Sequence, residues 1–244
     1  MAELVYPPVI VAIKTAFKAI GLRINITGAG NIPSTGGALM VINHIGYLDF
    51  ALTGLAAVKR KRLVSFMAKK EIFGNKYAGP LMRGMHHISV DRESGSASFV
   101  AALKALKAGE IVGIFAEGTI SRSFEIKELK TGAVRLAAAS GVPIIPTIVW
   151  GSQRIWTKGR KRDFHRNNIP ITIAIGEPFT VERSDAEAGE ALLRTKLEHL
   201  LHTVQAEYPD SHAGQWWAPA RLGGTAPTPE EVAREKDLKK NGNL

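Results

Sequence analysis

Ala38-Leu39-Met40-Val41-Ile42-Asn43-His44-Ile45-Gly46-Tyr47-Leu48-Asp49 is the stretch that decides how this chain reads. Five apolar residues of strand character run into Asn43-His44, a glycine follows at 46, and the apolar segment from Phe50 to Val58 has helical character. Strand, polar turn and helix make the unit of an α/β fold, which keeps its chemistry at the ends of its strands. Four residues separate His44 from Asp49. On one continuous helix the two would lie about 140° apart. They meet only if His44 stays in the turn, Asp49 opens the helix and the chain folds back around Gly46. Asp49 can then accept the Nδ1–H of His44, which fixes the tautomer and leaves Nε2 to take a proton from a hydroxyl. A lone histidine at a strand end is as readily a structural residue, so the pair draws its weight from the rest of the chain.

Composition narrows the class. With 244 residues, 45% of them hydrophobic, the chain can bury a substantial core and only its ends read as unstructured. It has no cysteine, which removes disulfides and Cys-ligated zinc and suits a reducing compartment. A formal net charge of +10 suggests a polyanionic partner: nucleic acid, an anionic membrane surface or phosphorylated substrates. No stretch approaches the ~20 apolar residues needed to span a bilayer. Glu3, Pro7 and Pro8 are unlike a secretory leader. The expected place is therefore the cytosol, peripheral to the cytoplasmic face of a membrane.

Taken in order, the sequence predicts an N-terminal segment over 1–22 holding an amphipathic helix over 8–22, opened by Pro8 and closed near Gly21. That helix packs on the core or lies in a lipid interface with Lys14 and Lys18 toward phosphates. Arg23 to Thr27 alternates as a strand. Lys59-Arg60-Lys61-Arg62 is a basic run read as a solvated face, and Lys69-Lys70 closes the strand from Leu63 to Ala68. Further helices are expected over 75–85, 96–107, 129–140 and 181–206. Further strands are expected over 86–92, 110–116 and 171–175, and one after Gly141 running to Trp150, where two prolines mark a sheet edge or a strand entrance. Residues 151–166 form a basic loop containing Trp156. The main domain is placed at 23–211, with a tail over 212–244 that is loosely held from Arg221 onward. Alternating strands and helices argue one α/β domain, a mixed, mostly parallel sheet flanked by helices.

Three polar clusters end strands: Asn43-His44…Asp49, Asp91-Arg92, and Glu117-Gly118-Thr119-Ile120-Ser121-Arg122-Ser123. The last combines a glycine, hydroxyls and an arginine, a set suited to phosphate, and its spacing matches neither a P-loop nor a dinucleotide fingerprint. With Ile88-Ser89-Val90-Asp91-Arg92, Phe115-Ala116-Glu117-Gly118-Thr119 and Val142-Pro143-Ile144-Ile145-Pro146, the order of blocks resembles the glycerolipid acyltransferases typified by bacterial 1-acylglycerol-3-phosphate acyltransferase. The resemblance covers about residues 20–180. Ala116 stands where the family usually has proline, and Ile120-Ser121 separate Thr119 from Arg122 where an arginine often follows directly.

The resemblance implies acyl transfer from acyl-CoA or acyl-carrier protein to the hydroxyl of a lysophospholipid, with lysophosphatidic acid giving phosphatidic acid. It implies His44 as general base oriented by Asp49, and Arg92, Glu117, Gly118 and Thr119 as the acceptor's phosphate site. Arg122, Lys69 and Lys130 are further phosphate candidates by charge and position. Backbone amides near Gly46 or Gly118 are candidate oxyanion donors. No metal, no cofactor and no nucleic acid are expected; an anionic membrane surface is the expected partner. Alternative acceptors are another lysolipid or a glycolipid. A non-catalytic reading is a basic lipid-binding module working through 59–62 and 154–166. His86-His87-x3-Asp91 resembles the block of condensation-type acyltransferases but lacks the glycine after the aspartate. A metal site on His44, Asp49, His86 and His87 lacks a compact ligand pair, and no Gly-x-Ser-x-Gly elbow supports a serine hydrolase.

Overall fold

Every residue of the strand Ala38–Ile42 is buried, because helices cover both faces of the sheet at whose centre it lies. Such a strand reads as a continuous apolar run instead of an alternating one. The computed structural model describes residues 2–91 and 95–240. Along the chain these form α1 (Ala2–Ala19), β1 (Arg23–Thr27), β2 (Ala38–Ile42), α2 (Asp49–Val58), β3 (Val64–Lys69), α3 (Lys70–Gly74), α4 (Ala78–Gly84) and β4 (Ile88–Val90). There follow α5 (Gly95–Lys107), β5 (Ile111–Ile114), α6 (Gly132–Ser140), β6 (Ile144–Trp150), β7 (Pro170–Ile175), α7 (Ala186–Ala206) and α8 (Pro229–Lys240).

The seven strands lie in the order β1-β7-β6-β2-β5-β3-β4. All neighbours are parallel except β6 and β7, so the sheet is mixed and mostly parallel, as the sequence predicts. Alternation along β2 sends Leu39 and Val41 to a core shared with α5, α6 and α7, and Ala38, Met40 and Ile42 to one shared with α1 and α2. Since β2, β5 and β6 are parallel, the turns that follow them gather at one end of the sheet.

Several boundaries differ from expectation. The first helix begins at Ala2, not Pro8, and carries both prolines inside it. Their fixed φ suits a helix, and the two missing N–H groups remove only two bonds near its start. Its inner face is spent on the core: Phe17 is buried, and Ile10, Ile13 and Ile20 pack beside it. Leu4 and Val11 face outward. No helix among the described residues is long and apolar enough to cross a membrane.

Pro146 sits within β6 between two neighbours, not at an edge. N–H and C=O of one strand residue point the same way, and the Pro146 carbonyl accepts from Gly176 on the β7 side. The β7 ladder stops at Thr147–Ile175, so the missing N–H falls beyond it. The helix expected over 75–85 forms as the shorter α4, with α3 an additional turn of helix ahead of it, and His86 precedes its strand with φ +57°.

The C-terminal segment is more firmly held than a loose tail. Trp217, Ala218 and Ala226 are buried in the α5–α7 core, and Arg221 pairs with Glu125 at 2.7 Å. The basic run 59–62 is also partly structural. Arg62 donates to the carbonyls of Pro33, Gly36 and Gly109 at 2.7–2.9 Å, fastening the loop before β2 to the turn before β5.

Candidate active site

The turn after β2 is built around one carboxylate. Asp49 opens α2 and is fully buried, and its Oδ2 accepts the backbone N–H groups of Ile45 and Gly46 at 2.8 and 2.9 Å. The same oxygen lies 3.0 Å from His44 Nδ1. Oδ1 accepts the hydroxyl of buried Ser152, which follows β6, at 2.5 Å. Four donors converge on this carboxylate, so burial without water is tolerable. Gly46 is small for a reason: a Cβ there would come within 2.9 Å of Ser152 Oγ.

His44 is gripped by its main chain as well. Its N–H donates to Glu117 Oε1 at 2.9 Å, and its carbonyl accepts from Ser121 N–H at 2.7 Å. Both contacts come from the block after β5, the neighbour of β2. The imidazole stacks on Phe115, with ring centres 4.3 Å apart. Its side chain keeps 21% exposure, enough for Nε2 to meet a substrate. On the other side Asn43 exchanges two hydrogen bonds with the main chain of Val149, and Thr157 donates to the Ile45 carbonyl at 2.6 Å.

Glu117 does not face outward as a phosphate ligand would. It is nearly fully buried; Oε1 holds His44, and Oε2 accepts the Lys127 N–H at 3.3 Å. Burial pushes its carboxyl up to about 7, opposed by those N–H donors and by the Lys127 ammonium. Gly118 turns the chain with φ +69°, and the Lys130 ammonium chain passes where its Cβ would stand. Thr119 is exposed and takes Lys127 Nζ on both its carbonyl and its hydroxyl. Burial holds the Lys127 ammonium below its usual range, and Lys158, Lys236 and Lys130 push it further down while Glu117 opposes them. Arg122 is paired with Glu235 of α8.

Not every expected residue joins this group. Lys69 ends β3, two strands from β2, and is exposed. Arg92 lies outside the described residues. The Gly46 and Gly118 amides already donate, to Asp49 Oδ2 and the Phe115 carbonyl, so neither is a free oxyanion donor. His87 is buried with Nδ1 accepting the Phe66 N–H, and burial lowers it to about 4. Among the described residues no three His, Asp or Glu side chains come together as a metal site. Sequence reasoning missed Ser152 and Lys127. Ser152 follows Gly151 at the end of an apolar strand, the one signal that could have drawn attention to it.

A family model described as Acyltransferase matches residues 23–150. The 1-acyl-sn-glycerol-3-phosphate acyltransferase of Bacillus subtilis is 34% identical over 153 residues, covering 61% of this chain and 70% of that protein. Its namesakes in Limnanthes douglasii and Borreliella burgdorferi are 29% and 27% identical over 66% and 60% of this chain. The matches span 56% and 58% of those two proteins. Among solved structures, the 1-acyl-sn-glycerophosphate acyltransferase of Thermotoga maritima aligns with a TM-score of 0.65 over 83% of this chain and 80% of that one. At 20% identity this likeness speaks to the fold alone.

Proposed function

The chain belongs to the acyltransferase family, and from that premise we propose that it acylates the free hydroxyl of 1-acylglycerol-3-phosphate, giving phosphatidic acid. The donor in this reading is a thioester, acyl-CoA or acyl-carrier protein. The observation that carries it is the 3.0 Å contact between His44 Nδ1 and a fully buried Asp49. A carboxylate in that position fixes the ring's tautomer and orientation and stabilises the positive charge that develops as Nε2 takes the proton, so Nε2 can act as the base.

His44 Nε2 removes the hydroxyl proton as the acceptor oxygen attacks the thioester carbonyl. The tetrahedral intermediate collapses, the carbon–sulfur bond breaks, and the thiolate recovers the proton from the imidazolium. Atoms and charge balance without an acyl-enzyme. A positioned base contributes about 10²–10⁴ in rate, so holding both substrates in place supplies much of the rest. Gly118, Thr119, Arg122, Lys130 and Arg92 are the proposed phosphate site, with Lys127 added and Lys69 at its margin. Glu117 acts through the main chain of His44 and not on the phosphate. The protein works at the cytoplasmic face of a membrane, as a peripheral protein on an anionic surface.

The test incubates purified protein with acyl-CoA or acyl-carrier protein and a panel of lysolipids and glycolipids, with His44→Ala and Asp49→Asn alongside. Transfer to lysophosphatidic acid that His44→Ala abolishes and Asp49→Asn lowers at least about a hundredfold is expected. Equal turnover by the variants, or preference for an acceptor without phosphate, overturns the reading.

A further inference from the structure

Between β6 and β7 the sequence Lys158-Gly159-Arg160-Lys161-Arg162-Asp163-Phe164-His165-Arg166 carries five cations against one carboxylate, four of the chain's ten net positive charges in nine residues. All five cations are exposed, and none is ion-paired among the described residues. The single carboxylate is turned to the loop's own spine: Asp163 accepts the His165 N–H and the Asn167 side-chain amide. The loop is nevertheless fixed at its base. Asp163 N–H donates to the Ile155 carbonyl at 2.7 Å, Tyr47 N–H to Trp156 and the Thr157 hydroxyl to Ile45. Its foundation is thus the very turn that carries His44.

Phe164 is 44% exposed, and Tyr47 in the His44 turn is 42% exposed. Trp156 joins them, its ring centre 6.1 Å from Phe164 and 4.7 Å from Tyr47. Arg162 lies over Phe164 and Arg160 over Trp216, so two guanidinium groups are held beside rings at the surface.

We propose that residues 158–166 are the contact by which this protein sits on an anionic lipid bilayer, with Phe164 entering among the headgroups and the row Phe164–Trp156–Tyr47 leading from that surface to His44. Unpaired cations are drawn to an anionic leaflet, and aromatic rings settle at the level of the headgroups. A bilayer satisfies both features at once, and it is where an acceptor with a fatty chain resides. An acidic protein surface would answer the charge alone. The inference rests on the acyl-transfer reading only for what the surface delivers; the contact itself is tested separately.

The experiment sediments the full chain with vesicles of phosphatidylcholine alone and with vesicles containing phosphatidylglycerol. The wild type should bind the second and not the first. Lys161→Glu with Arg162→Glu should bind them at least about 30-fold more weakly. Phe164→Ser should also weaken binding, by a factor that stays the same as salt is raised. Transfer to a short-chain acceptor dissolved as monomer should be unchanged in all of them, which also reports that they fold. Wild-type binding by the loop variants overturns the proposal. So does loss of binding only in Leu4→Asp with Val11→Asp, which would assign the contact to α1, or wild-type capture by an acidic carrier protein and not by vesicles. If the wild type binds vesicles yet transfers no acyl group, the activity reading fails and this one stands.

Discussion

Glu117 Oε1 accepts the backbone N–H of His44 at 2.9 Å, so the block after β5 fixes the main chain of the turn after β2. Two stretches 73 residues apart are thereby joined at the point where the proposed base leaves its strand. The imidazole is aimed from both sides, by Glu117 at its backbone and by Asp49 at its ring.

Asp49→Asn should lower kcat by about 10²–10⁴ with little change in KM for the acceptor, because an amide cannot orient and charge-stabilise the ring. Combined with His44→Ala it should cost little more than either change alone, since the two act as a unit. Steady-state kinetics on the two single variants and the double one check this.

Ser152→Ala should leave Asp49 Oδ1 without its hydroxyl donor and destabilise the fold by about 1–3 kcal/mol. Ser152→Ala should also lower activity through the loosened Asp49, whereas Ser152→Thr keeps a hydroxyl and should retain most of both stability and activity. Urea denaturation and a pH–rate profile of both variants decide it. A threonine variant as impaired as the alanine one would deny the hydroxyl its role.

The pH dependence of stability has two opposed sources. Burial raises Glu117 to about 7, so the folded protein holds that proton more tightly than the unfolded chain. From about pH 4.5 to 7 this contribution falls as pH rises. Burial lowers His87 to about 4, and its contribution, complete above pH 6.5, is lost as pH falls toward 4. Glu117→Gln should therefore leave a stability that climbs with pH across that window. Denaturation midpoints between pH 4 and 7.5 test it, and a variant with the wild-type profile would contradict the assignment.

Phe17→Ala should destabilise the protein by about 3–5 kcal/mol, because the ring is buried against the sheet. Arg62→Ala should cost about 1–3 kcal/mol through its three carbonyl contacts and leave vesicle binding unchanged. Thermal denaturation measures both. A solvated cation at position 62 would show almost no change.

The sequence by itself determined the α/β class, the strand that became β2 and the turn around Gly46 in which His44 and Asp49 can meet. Each follows from local rules: an unbroken apolar run needs cover on both faces, and a glycine between a strand and a helix permits a tight turn. The family resemblance, too, was legible in four short blocks. Only the tertiary structure decided what surrounds them. That Ser152 reaches Asp49 depends on β6 pairing with β2 across 103 residues. That Glu117 grips a backbone, instead of facing a phosphate, depends on burial, which no residue type reveals. Pro146 inside the sheet, and Trp217 and Ala226 in the core, were likewise invisible locally. What a proline's missing donor costs, and whether an apolar residue near a terminus finds cover, are settled by which strand or helix lies beside it.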